Sequence, residues 1–267
     1  MGKAIYLFCF ARGSLLPELQ MAGLDDAPVF KEDLSNVTAV LCEVPIDDFS
    51  GPSAETRLQD LAWVGPRAVR HGEVIEYATQ HAPVLPARFG TLFSSIDSLR
   101  RLLKSNLAQI NDFLDWVTDK DEWAVKVLLS RAEVRDRLVS EKFADQSEVL
   151  ASLSQGMRYF KEQQIKAAVE KEIGSWMKAI LKAASIEFTE RSADWHRREI
   201  VFQAQEGSEV ETVANWAFLV DRTNEEDFKG RVQKANAEHN SYGLSFELSG
   251  PWPPYSFTPV LEMEAQE

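Results

Sequence analysis

LASLSQGMRYFKEQQIKAAVEKEIGSWMKAILKAAS, residues 150 to 185, decides the fold of this chain. Leu150, Leu153, Met157, Phe160, Ile165, Val169, Ile173, Trp176, Ile180 and Ala184 recur at mostly three- and four-residue steps. That spacing places them on one face of an α-helix. Glu162, Lys166 and Glu170 form an i,i+4 ladder on the other side. From residue 131 to 185 there is no proline, and the only glycines are Gly156 and Gly174. The pattern predicts an amphipathic helix of unusual length, packed on a sheet. The alternative is a helix whose apolar face is exposed for interaction.

Downstream, the pattern turns to strands. Ile186-Glu187-Phe188-Thr189 and Ile200-Val201-Phe202 alternate or cluster apolar residues, and Asn215–Val220 is a strong strand candidate. Asp194-Trp195-His196-Arg197-Arg198 reads as a polar loop between them. Thr223-Asn224-Glu225-Glu226 has the form of a capping box, with a helix running to about Asn240. Tyr242–Leu248 is a last alternating strand. Helix, strand, strand, strand, helix, strand is a variant of the split-βαβ, ferredoxin-like layer. Beyond it, Gly250-Pro251-Trp252-Pro253-Pro254-Tyr255-Ser256-Phe257 carries three prolines and three aromatics. Fixed φ angles predict a stiff extended arm. Trp252 and Tyr255 are expected to bury against the N-terminal half, close to the Pro86–Phe93 segment.

Upstream, strands and helices alternate. Ile5–Phe10 and Thr38–Val44 are apolar runs of strand length, and Trp123–Leu129 is a third. Gly65-Pro66 is expected to interrupt or restart a helix, because proline is tolerated at a first helical turn and not in an interior. Ser95 precedes a helix with Leu99, Leu102, Leu103, Leu107, Ile110 and Leu114 at helical spacing. The expected fold class is α+β, with two α/β-type domains and a long helical segment between or within them. The domains are expected at 1–130 and 131–250, the second ferredoxin-like, with a proline/aromatic arm and acidic tail at 251–267.

Composition narrows the function. The 267 residues include 29 Lys and Arg against 42 Asp and Glu, a net charge of −13. Polyanions need a positive surface, so general binding to nucleic acid or to an anionic membrane is not expected. Cys9 and Cys42 make no disulfide framework and sit inside apolar runs, which fits a reducing, cytoplasmic setting. The chain has no G-x-G-x-x-G, P-loop, G-x-S-x-G or H-E-x-x-H. His71, His81, His196 and His239 lack metal-ligand spacing. No catalytic residue, metal or cofactor is expected. Arg67, Arg70, His71 and Arg88 concentrate positive and titratable groups, the first three on one helix flank. They form either an anion or partner-carboxylate site, or pairs with the chain's own acids. With Phe89 of the proline-bearing segment and Trp252, Pro253, Pro254, Tyr255 and Phe257 of the arm, they are the candidate partner-binding or interdomain residues.

Several of these segments resemble motifs of the gas vesicle protein F/L family. They are Leu61-Ala62-Trp63-Val64-Gly65-Pro66-Arg67-Ala68-Val69-Arg70-His71 and Pro83-Val84-Leu85-Pro86-Ala87-Arg88-Phe89-Gly90-Thr91-Leu92-Phe93. Glu122–Val127, Gly156-Met157-Arg158-Tyr159-Phe160, Leu219-Val220-Asp221-Arg222 and Gly250–Phe257 continue the match in order. The resemblance implies a non-enzymatic accessory or minor structural protein of gas vesicle assembly, built of two α/β domains. It implies contact with the small, hydrophobic main shell protein, limiting its aggregation, and with other gas vesicle accessory proteins. Two other readings compete. One is a small-molecule-binding regulatory module, from fold analogy alone. The other is an enzyme with an unrecognised site near Arg67, His71 and Arg88.

Overall fold

The computed structural model describes residues 2–200 and 210–262. The chain divides into two units, Met1–Glu122 with Pro251–Glu267, and Trp123–Gly250. Unit 1 contains β1 (Lys3–Arg12), β2 (Phe30–Leu34), β3 (Val37–Pro45), α1 (Ile46–Phe49), α2 (Pro52–Gln59), α3 (Leu61–His81), β4 (Val84–Pro86), β5 (Leu92–Phe93) and α4 (Ile96–Trp116). The sheet order is β2-β3-β1-β4, with β5 also paired to β1, and each of these pairings is antiparallel. β1 is buried along almost its whole length, so its sequence is a continuous apolar run rather than an alternation. Tyr6 and Phe8 share one core with Val74, Ile75 and Ala78 of α3. A bulge between Leu7 and Cys9 puts the consecutive Phe8 and Cys9 into that same core. α4 lies close to β1 and β4 and buries Leu99, Leu103, Ile110 and Leu114. Ser95 caps it as expected, in a reciprocal box with Ser98.

α3 corrects one expectation. Gly65-Pro66 neither ends nor restarts it: the helix runs unbroken from Leu61, with Asp60 capping the Ala62 N–H at 2.9 Å. Pro66 falls in the second turn, where it removes a single backbone hydrogen bond. Arg67 Nη1 donates to the Trp63 carbonyl at 2.9 Å and its guanidinium lies 4.1 Å over the Trp63 ring, bracing the helix beside the proline.

Unit 2 is built on β6 (Lys120–Ser130), α5 (Arg131–Asp145), α6 (Ser147–Ser152), α7 (Gln155–Thr189), β7 (Asp194–Arg197), β8 (Val210–Asp221), α8 (Glu225–His239) and β9 (Leu244–Trp252). The strand order β7-β8-β6-β9 makes this a βαββαβ unit of ferredoxin-like topology. Its opening strand is the apolar run 123–129, which the sequence reading assigned to the first domain, so the boundary falls at 122/123 rather than 130/131. Trp123, Val125, Val127 and Leu129 of β6 alternate into one core with Trp216, Phe218 and Val220 of β8. Phe188 sits at its centre, 5.9 to 6.4 Å from the rings of Trp216, Phe218, Phe228 and Phe246.

Phe188 also explains a second correction. Residues 186–189 close α7 instead of forming a strand. Phe188 stands one helical turn after Ala184 on the buried stripe, and in a four-residue window that spacing is indistinguishable from alternation. The expected polar loop at 194–198 is instead strand β7, paired antiparallel to β8. The strand expected at 200–202 extends into residues outside those described. The helix stripe from Leu150 is broken once: Ser154 takes an extended conformation before α7, and Ser152 Oγ bonds back to the Val149 carbonyl at 2.7 Å. α8 begins at Glu225 after a 3-10 turn over Arg222–Asn224, without the expected Thr223 side-chain cap. β9 extends through Gly250 and Pro251 to Trp252, so the arm begins later than expected; it is an edge strand, where proline is tolerated. Gly243, before β9, has φ of 81° and accepts from the Ser130 N–H at 2.8 Å.

Candidate functional site

The titratable group most deeply placed among the candidates is His71, on the buried face of α3 and 5% exposed. Its Nδ1 is 2.9 Å from the Tyr6 hydroxyl and its Nε2 is 3.1 Å from the Ala87 carbonyl. A carbonyl only accepts, so Nε2 carries the proton and Nδ1 accepts from Tyr6. The Gly90 N–H in turn donates to the Tyr6 oxygen at 3.1 Å. The chain Gly90 N–H, Tyr6 O–H, neutral His71, Ala87 C=O is therefore satisfied at every member. Burial lowers the His71 pKa to about 4, only partly opposed by the Ala87 hydrogen bond. Burial likewise raises that of Tyr6. Phe89 lies 5.8 Å from His71 and 6.2 Å from Tyr6, ring to ring, completing an aromatic enclosure. This knot pins the 83–93 segment to β1 and α3.

The three arginines are not gathered into one site. Arg67 pairs with Asp25 through Nη2 at 2.6 Å and Nε at 3.1 Å, a two-point contact. Arg70 pairs with Glu73 at 2.7 Å. Arg88 is exposed, and among the described residues only its carbonyl is engaged, by the Thr91 hydroxyl at 2.7 Å and the Thr91 N–H at 3.1 Å. The expectation that such groups spend themselves on the chain's own carboxylates describes Arg67 and Arg70. A convergent polar site made by Arg67, His71 and Arg88 is not formed.

In the arm, burial is the reverse of that expected. Trp252 and Tyr255 remain 45% and 38% exposed, while Pro253, Pro254 and Phe257 are buried. A 3-10 turn over Tyr255–Phe257 turns Phe257 inward. Phe257 meets Trp116 of α4 at 6.0 Å. The fully buried Glu122 carboxylate accepts from both the backbone N–H and the hydroxyl of Ser256, each at 2.8 Å. Further on, Asn106 and the Glu262 backbone exchange two hydrogen bonds of 2.9 Å. The Tyr255 pKa is raised by burial first, then by Cys9, Glu122 and Glu76.

The sequence reading assigned one surface to the core that the structure leaves outside. At the start of α7, Met157, Tyr159 and Phe160 are 62 to 65% exposed, and Val149 of α6 is also exposed. Val149, Met157 and Phe160, with Leu153, Lys161 and Gln164, line an open groove of about 450 Å³. The α7 side chains that are buried begin only at Ile165 and follow in steps of four at Val169 and Ile173. A signal was present: Lys161 and Gln164 interrupt the stripe, and the adjacent Tyr159 and Phe160 cannot both face one core.

Among the described residues no group of three or more His, Cys, Asp or Glu is placed to hold a metal ion, and no helix is long and apolar enough to cross a membrane. The geometry defines a two-unit α+β protein whose distinctive accessible features are surfaces and grooves. The chain belongs to the gas vesicle synthesis protein GvpL/GvpF family, whose model matches residues 4–259. It is 26% identical to gas vesicle protein L of a Streptomyces species, over 87% of this chain and 84% of that protein. It is 25% identical to gas vesicle protein L1 of Halobacterium salinarum, over 97% and 90% respectively. The fold matches the crystal structure of GvpF from Anabaena at a TM-score of 0.70 and 18% identity, covering all of both chains. GvpF from Microcystis aeruginosa matches at 0.66 and 15%, over 96% of this chain and 99% of that one. Family membership gives the protein an accessory role in gas vesicles, in a group of structural and accessory proteins rather than a known enzyme family.

Proposed function

We propose that this protein is a non-enzymatic assembly factor that binds the hydrophobic main gas vesicle shell protein in the cytoplasm and limits its aggregation before incorporation. The observation that carries the reading is the exposed apolar group of Val149, Met157 and Phe160 lining an open groove, on a chain of net charge −13. Contiguous apolar surface of this kind marks contact with another protein. Burying each large side chain contributes about 1.5–3 kcal/mol. The surrounding negative charge keeps the loaded complex dispersed. Other gas vesicle accessory proteins are further partners in this reading, and neither nucleic acid nor membrane is one. The arm and the Tyr6–His71 knot act by holding unit 1 in shape rather than by touching the shell protein.

The test is co-expression with the main shell protein, followed by pull-down and measurement of its soluble fraction. The wild type is expected to retain the shell protein in solution. Met157→Ser with Phe160→Ser should abolish that retention while the melting temperature stays within a few degrees. Undiminished retention by the double variant would remove α6 and α7 as the contact.

A further inference from the structure

A second groove of unit 2 has the opposite chemistry. It lies between the C-terminal third of α7 and the β7–β8 hairpin, with a volume of about 320 Å³. Lys178 and Lys182 line it from α7, one turn apart, and Arg197 and Arg198 line it from the end of β7. Leu181 and Trp216 supply an apolar floor. No carboxylate lines it among the described residues. This is unusual in a chain where acids outnumber bases by 42 to 29. Elsewhere in the same unit several cations take carboxylate partners: Arg231 meets Glu190 at 3.1 Å and Asp227 at 3.4 Å, and Lys229 meets Glu226 at 3.0 Å. Lys178, Lys182 and Arg197 have no ion pair among the described residues, and the Arg197 guanidinium lies 5.9 Å over the Trp195 ring. Like charges one helical turn apart repel, so a row of such cations is unfavourable without an anion.

We propose that this groove docks an acidic peptide segment of a partner protein, with carboxylates on Lys178, Lys182 and Arg197 and an apolar side chain on Leu181 and Trp216. The supports are rigid. α7 is a continuous helix here, and the Arg198 N–H is fixed to the Asn215 carbonyl at 2.8 Å, holding the end of β7 against β8. A long polyanion is disfavoured because the charge of −13 repels it beyond the groove, whereas a short segment is attracted within a Debye length of about 8 Å. The apolar floor selects against small inorganic anions, which cannot use it.

The experiment titrates the full-length protein into a fluorescein-labelled peptide of alternating glutamate and leucine, read by anisotropy. The controls are the glutamine–leucine counterpart and inorganic polyphosphate. Saturable binding is expected for the acidic peptide only. It should weaken roughly tenfold for Lys178→Glu with Lys182→Glu, and weaken again on raising salt through the physiological range. Should the charge-reversed protein melt early, Lys178→Gln with Lys182→Gln is the measured variant, with a loss of a few fold. Three results would overturn the proposal: no saturable binding by the wild type, binding indifferent to both lysine pairs, or polyphosphate binding as tightly as the peptide. The shell-protein contact on α6 and the start of α7 takes no part in this assay, so either idea can fail alone.

Discussion

His71 is a single imidazole held to one protonation state by what surrounds it. Protonating Nδ1 would turn the Tyr6 hydroxyl from donor to acceptor and leave its own proton without a partner in a buried place. The folded pKa of about 4 lies below the unfolded value of 6.5, so the unfolded chain binds the proton more readily. The stabilisation is complete above pH 6.5 and is lost progressively as pH falls toward 4. It corresponds to about 3 kcal/mol, since each pH unit of separation is worth 1.36 kcal/mol. Urea denaturation of wild type and His71→Gln at pH 7.5 and pH 4.5 measures it, because subtracting the two proteins removes the other carboxylates' contribution. The gap between them should shrink by about that amount at the lower pH; a pH-independent gap would contradict the assignment. Tyr6→Phe is expected to cost about 1–3 kcal/mol at neutral pH, because it strands the Gly90 N–H and His71 Nδ1 together. The sequence placed His71 on a helix flank and grouped it with Arg88 as a candidate. It held no sign of the Tyr6 bond, because the two residues meet only through the packing of α3 on β1.

Among the elements, α7 was legible because its stripe is long, and the strand expected at 186–189 was misread because its window is short. β7 was missed for a different reason. Charged side chains fill it, since it is an edge strand with solvent on one side, and periodicity reports burial rather than backbone pairing. The arm shows the same limit. Aromatic content predicted burial of Trp252, yet the inward positions go to Pro253 and Pro254, before the turn at Tyr255–Phe257, and to Phe257 within it. Phe257→Ala is therefore expected to cost about 3–5 kcal/mol and Trp252→Ala well under half of that, read as a difference in denaturation midpoint. The reverse ranking would show that the arm docks through its tryptophan. Gly243→Ala belongs here too. Its φ of 81° disfavours a side chain, and an added Cβ would meet Glu133 Cβ at 2.7 Å and the Ser130 carbonyl at 3.0 Å. A loss of about 1–3 kcal/mol follows from the combined strain.

For the whole molecule, order in sequence and order in space part company at the C-terminus. Residues 251–267 follow unit 2 in the chain but belong to unit 1, which is why a linear reading of domains set them apart. Unit 1 uses them to solve two burial problems. Glu122 is a carboxylate with no exposure, and a buried charge is tolerable only when hydrogen-bonded; Ser256 supplies two donors. Asn106, 4% exposed within α4, is answered by both backbone groups of Glu262. Truncation after Trp252 leaves β9 whole but removes those donors, uncovers the Trp116 contact of Phe257 and leaves the Asn106 Oδ1 without its Glu262 donor. The loss is expected to reach several kcal/mol, the sum of two hydrogen bonds lost from a buried carboxylate and a lost aromatic burial. It should also be local. Amide hydrogen exchange should quicken in α4 and at the start of β6, while β8 and α8, whose core is Phe188, Phe218 and Phe228, keep their protection. Unchanged exchange in α4 would mean that the arm is an ornament of unit 1. Equal loss of protection in β8 would mean that the two units unfold together, and that the division at residue 122 describes contacts without describing cooperativity.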